Sequence, residues 1–279
     1  MKQRTIPIQK AVEIAADMHR AGQLERAQQM YVDILRQDPG NIDAIHLLGV
    51  LANQGGRPDV AVELIGRAIS RRPDEALIQC NYADALAANN QLEKALEHYR
   101  RALELAPGYA DALNNLARTL YSLGRFEESI EVATEAINSD EKNVIALNSM
   151  GNALRAVWRA DAAVNFYKKA IEINPQFVDP VNNLGLALSE CGRAEEGIIH
   201  LREAIRLQPS LPAPHINLGA IYASLGRYRE AIDTLETVIK LDPKNCDARN
   251  NLSAILRAVG RHADSLAELD ELAEINPDF

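Results

Sequence analysis

Prolines stand at positions 39, 73, 107, 175, 209, 243 and 277, and every gap between neighbours is 34 residues or twice that. The one empty slot, 141, holds Glu. Self-similarity at a fixed period of about 20–50 residues marks a chain built from stacked, near-identical units, so this spacing constrains the fold more tightly than composition does. If each proline is position 32 of a unit, the units begin at residues 8, 42, 76, 110, 144, 178, 212 and 246, and the eighth closes on Phe279.

Other positions keep the same period. Position 7 is mostly large and apolar (Ile14, Leu48, Tyr82, Leu116, Met150, Leu184, Leu218, Leu252), and position 8 is small (Ala15, Gly49, Ala83, Ala117, Gly151, Gly185, Gly219, Ser253). Position 20 is again small in every unit, from Ala27 to Ser265, as two closely approaching helices require. Six units carry Gly at position 15, where a helix stop needs positive φ. The pattern predicts one helix over about positions 2–14, a tight turn, and a second over about 17–30, which proline ends because its ring cannot continue a helix. Aromatic residues make up only 5 % of the chain, which favours close-packed helices over a β-sandwich. One such pair cannot bury its apolar stripe alone, so neighbouring units must supply the core.

These residues resemble the tetratricopeptide repeat, with its Leu-Gly pair, its small residue in the second helix and its closing Pro. The resemblance covers 272 of the 279 residues. It implies an all-α fold, a right-handed α-solenoid superhelix of eight 34-residue helix-turn-helix repeats. The expected organisation is an N-terminal leader over 1–7 and a tetratricopeptide domain over 8–279, with repeats 8–41, 42–75, 76–109, 110–143, 144–177, 178–211, 212–245 and 246–279.

Net charge is −9, so no global positive field attracts nucleic acid or an anionic membrane surface. No apolar run approaches the ~18 residues of a spanning helix, and the cytoplasm is the expected compartment. Cys80, Cys191 and Cys246 lie too far apart for a zinc site and read as free thiols. The six histidines fall in separate places without metal spacing, and no phosphate loop or nucleophile elbow occurs, so neither metal, cofactor nor catalysis is expected. The sharpest catalytic idea is His46 with Cys80, both at position 5 of adjacent units, which could meet across a groove.

On the first helix, positions 4, 7, 8 and 11 form one stripe, and positions 2, 5, 6, 9, 12 and 13 are expected to face away from the core. That second set holds Asn81, Asn114, Asn115, Asn148, Asn152, Asn182, Asn183, Asn217, Asn250 and Asn251, half of the chain's twenty asparagines. Asparagine costs a helix interior roughly 0.5 kcal/mol relative to Ala, so something compensates. Either the amides hydrogen-bond an extended peptide backbone, or they bond neighbouring helix ends or descend from a duplicated unit. The segments 111–117 and 148–154 are similar to repeats of O-linked N-acetylglucosamine transferases. That resemblance implies that the position-6 residues Asn81, Asn115, Asn183, Asn217 and Asn251 form a ladder gripping peptide, in a concave groove lined by the first helix of each pair. Ser149, Glu13 and Leu47 interrupt the row.

Asp43, Asp111, Asp179 and Asp247 recur at position 2 of alternate units, where helix capping and dipole pairing are expected. Arg118, Arg155 and Arg257 could meet isolated carboxylates. Trp158 replaces the turn glycine in unit five, and the missing proline at 141 makes the junction before it the expected hinge. A Trp at such a turn is expected to pack on the next unit; an exposed one would be a binding anchor. The last helix carries Leu266, Leu269 and Leu272 with no polar cap after it, so the expectation is self-association there, tolerated exposure, or cover by a further domain of a longer protein. The resulting expectation is a protein-interaction scaffold that holds an extended segment of a partner. The alternative is the substrate-recognition region of a larger, glycosyltransferase-like enzyme.

Overall fold

A computed structural model describes residues 6–276; Met1–Thr5 of the expected leader, and Pro277 and Phe279 of the last unit, lie outside the described residues. Among the described residues there are sixteen α-helices and no strand. The chain divides into two compact units, and the boundary falls between Glu141 and Lys142, at the proline slot filled by glutamate. The first unit holds α1 (Ile8–Arg20), α2 (Leu24–Gln37), α3 (Ile42–Gln54), α4 (Pro58–Ile69), α5 (Ala76–Ala88), α6 (Leu92–Leu105), α7 (Ala110–Ser122) and α8 (Phe126–Ser139). The second holds α9 (Val144–Ala156), α10 (Ala160–Ile173), α11 (Val178–Glu190), α12 (Ala194–Leu207), α13 (Pro212–Ser224), α14 (Tyr228–Leu241), α15 (Cys246–Ala258) and α16 (His262–Ile275). No described helix is long and apolar enough to cross a membrane.

Each first helix begins one residue earlier than the period predicts, at position 1, and in three repeats the asparagine before it supplies a side-chain cap. Asn41, Asn143 and Asn245 accept the backbone N–H of Ala44, Ala146 and Ala248 at 3.0 Å. The capping expected of Asp43, Asp111, Asp179 and Asp247 is therefore corrected. These residues sit inside the first turn, where a negative charge faces the positive end of the helix dipole.

The turn between paired helices closes the same way in all eight units. The N–H of position 16 reaches back to the carbonyl of position 11, as from Gln23 to Met18 and from Arg159 to Leu154, both 2.9 Å. That closure puts position 15 in the left-handed region. Six glycines adopt it freely, whereas Asn90 (φ 57°) and Trp158 (φ 62°) hold it with a side chain attached.

Within each unit, second helices pack on their own first helix and on the next one. Position 8 meets position 24: a Cβ added to Gly151 would lie 2.4 Å from the Tyr167 ring, and one added to Gly49 would lie 2.6 Å from Ile65. Where position 20 is serine, its hydroxyl donates across the close approach, Ser129 to the Ala117 carbonyl and Ser265 to the Ser253 carbonyl, both 2.8 Å.

Candidate functional site

The asparagine rows at positions 5 and 6 occupy different environments. Position 5 does not face away from the core as expected: Asn114 is 7 % exposed and Asn182 9 %, and His46 and Cys80 are also buried. A helical wheel drawn for one helix omits the neighbouring repeat, and contacts between successive first helices (α3 with α5, α11 with α13) cover this position. Asn148 at position 5 and Asn152 at position 9 are half-buried, as are Asn81, Asn115, Asn183, Asn217 and Asn251 at position 6, while Asn250 is exposed.

The half-buried position-6 amides reach backwards by one repeat. Asn81 Nδ2 donates to His46 Nε2 at 2.9 Å and Asn217 Nδ2 to Asn182 Oδ1 at 2.8 Å, in each case to position 5 of the previous repeat. Asn115 Nδ2 donates instead to position 9, Asp84 Oδ1, at 2.8 Å. Asn183 does both, to Asn148 at 3.1 Å and Asn152 at 2.9 Å, and its own oxygen accepts from Asn182 at 3.0 Å. Asn251 finds Ile216 and Ala220 at those two positions, neither of which offers an acceptor side chain. The compensation for asparagine's poor helix propensity is therefore, in these repeats, a polar stitch between neighbours.

A tyrosine completes two of these stitches. Tyr99 OH donates to Asp84 at 2.6 Å and Tyr167 OH to Asn152 at 2.8 Å, each from position 24 to position 9 of its own repeat. In repeat one the matching Tyr31 faces a chain with Ala16 at position 9, and its hydroxyl is buried without a partner. Asp84, Tyr99 and Tyr167 are absent from the residues singled out in the sequence, although Tyr31, Tyr99 and Tyr167 recur at twice the repeat length.

Three further expectations need correction. Arg155 is bound to Glu190 at 2.9 Å, one repeat on, so it is not free for a ligand carboxylate, whereas Arg118 is exposed. Trp158 does not pack on a neighbour: it is 95 % exposed, because the left-handed turn carries position 15 outward. On α16 Leu266 and Leu269 are exposed, but Leu272 is buried and unavailable for self-association.

His46 and Cys80 do not form a reactive pair. Burial pushes the Cys80 thiol up to about 12, which opposes thiolate formation, and holds His46 down at about 4. His46 Nε2 accepts from Asn81, so the ring is neutral and turned to that amide. Among the described residues no group of three His, Cys, Asp or Glu side chains is placed to hold a metal ion.

Helix pairs stacked in this way define an all-α solenoid of repeats. Family models described as tetratricopeptide repeat match residues 18–87, 74–142, 114–176, 166–198 and 212–245. The chain belongs to the tetratricopeptide repeat family. Among solved structures it is similar to the Cut9-Hcn1 hetero-tetramer of the APC/C, with 17 % identity, TM-score 0.70, and coverage of 96 % of this chain and 53 % of that one. It therefore spans about half the length of that relative. A tetratricopeptide repeat protein from Parabacteroides merdae matches with 15 % identity and TM-score 0.73, over 89 % of this chain and 98 % of that one. YrrB, a tetratricopeptide repeat protein with an unusual peptide-binding site, matches with 22 % identity and TM-score 0.50, over 67 % and 96 %.

Proposed function

We propose that the chain is a protein-interaction scaffold that holds an extended segment of a partner along its first-helix face, with position-6 asparagines as contacts. The observation that carries this reading is the state of Asn115 and Asn217. Each spends Nδ2 on the previous repeat, which fixes the amide plane, and each keeps an Oδ1 with no hydrogen bond among the described residues. An oriented carbonyl of this kind suits the N–H of an extended backbone and is indifferent to the peptide's side chains. The same contacts serve an independent scaffold and the recognition region of a larger transferase.

The test is selection of a random peptide library on the purified chain, beside a variant carrying Asn115→Ser and Asn217→Ser. Serine already fills this position at Ser149, so the replacement suits the fold. Selected peptides should lose at least about tenfold in affinity on the variant, the equivalent of roughly 1.4 kcal/mol. Equal affinity for both proteins would overturn the reading.

A further inference from the structure

A pocket of about 460 Å³ opens in the first unit, with Asn53, Asp84, Tyr99, Asn115 and Arg118 among its lining residues. One of its acceptors is unspent. Asp84 concentrates both of its internal bonds on one oxygen, with Tyr99 OH at 2.6 Å and Asn115 Nδ2 at 2.8 Å on Oδ1, while Oδ2 accepts nothing among the described residues.

The charge on Asp84 is not needed for those bonds. In repeat five Asn152 occupies the same position and accepts from Tyr167 at 2.8 Å and Asn183 at 2.9 Å, which reproduces both contacts with a neutral amide. A carboxylate drawn out of water costs more than an amide in that place, and burial accordingly raises the Asp84 pKa. Arg118 acts on Asp84 only through space: it is exposed and forms no ion pair with it. A half-buried charge that the scaffold does not require, on the wall of a pocket and with one oxygen unspent, suits a cation that carries N–H donors.

We propose that this pocket receives an arginine side chain of the bound segment, its guanidinium donating to Asp84 Oδ2. The guanidinium brings a charge-assisted donor to that oxygen, and Arg118 swings toward solvent as the incoming cation enters. The inference deepens the peptide reading and rests on it for the source of the arginine.

The experiment titrates N-acetyl-arginine methylamide into the full chain and follows the side-chain amide resonances of Asn53 and Asn115. Saturable shifts are expected. Asp84→Asn, which keeps the Tyr99 and Asn115 bonds, should weaken binding roughly tenfold or more, the ratio for losing one charge-assisted hydrogen bond. Arg118→Gln should tighten it by removing the competing cation. The isosteric, uncharged citrulline analogue should bind as weakly as arginine does to the Asp84 variant. No saturable shift, equal binding by Asp84→Asn, or equal binding of citrulline overturns the proposal. The titration involves no peptide, so a positive result beside a failed library selection sinks only the groove reading, and the reverse sinks only the pocket.

Discussion

Trp158 is the place where stability and binding should separate. It holds φ at 62° in a turn where six other repeats use glycine at 70–79°. For a residue with a Cβ, the left-handed region costs roughly 1–2 kcal/mol. At 95 % exposure its indole makes almost no contact that could offset this. Trp158→Gly removes the strain but loosens the unfolded chain, which returns part of the gain. The net expectation is a stabilisation of about 1 kcal/mol, read as a higher urea midpoint by far-UV circular dichroism, because the variant lacks the chain's single tryptophan fluorophore. Trp158→Ala keeps the Cβ and the strain, so its midpoint should stay within about 0.5 kcal/mol of wild type. A packed indole would make both variants less stable, glycine as well as alanine. A lower midpoint for Trp158→Gly would therefore refute the reasoning. If the exposed ring is a binding anchor, both variants should also lose affinity for peptides selected on the wild type.

Three other substitutions test the polar stitches and the gap in them at Tyr31. Tyr31→Phe should raise the midpoint by about 1 kcal/mol by removing a buried hydroxyl that lacks a partner, whereas Tyr99→Phe should lower it by about 1–3 kcal/mol by taking a donor from half-buried Asp84; urea unfolding checks both. His46 has a folded pKa of about 4 against an ordinary 6.5, so the unfolded chain binds the extra proton between those values. Its contribution is complete above pH 6.5 and falls away as pH drops toward 4, by up to about 3 kcal/mol. His46→Asn retains an acceptor for Asn81, as Asn148 does for Asn183, and should flatten the acid limb of the stability–pH curve. Burial also lowers His98 and His200, so some slope should persist. An unchanged slope in the variant would count against His46 as the group responsible.

The helices and turns could be read from the chain because each is fixed by residues a few positions apart. A proline, a glycine and a large–small pair recur in step, and the helix limits came out within a residue or two. Contacts between repeats were harder to see. Arg155 meets Glu190, and Asn183 meets Asn148, both across 35 residues, and nothing in a single helix's periodicity reports such a partner. The burial of position 5 was missed for the same reason. Two signals were nevertheless available. Position 15 is glycine in six of the eight repeats, which already marked it as a left-handed turn position rather than a packing one, and so pointed against a packed Trp158. Tyr31, Tyr99 and Tyr167 recur every 68 residues, as do Asp43, Asp111, Asp179 and Asp247, a second period of two repeats laid over the first.

On the proposed reading, Asn115 and Asn217 carry two functions on opposite ends of one amide. The nitrogen joins a repeat to its predecessor, and the oxygen, with no hydrogen bond among the described residues, is the end proposed to meet a ligand. Replacement by alanine removes both, so a lost partner could reflect a lost groove or a loosened array. The repeats themselves supply cleaner substitutions. Asn152 shows that an amide can replace the carboxylate of Asp84, and Asn148 shows that an amide can replace the ring of His46 as an acceptor. Each exchange keeps a hydrogen-bond geometry that the chain already uses and changes one property, charge or proton affinity. A loss of binding that survives those exchanges belongs to the scaffold, and one that tracks them belongs to the site.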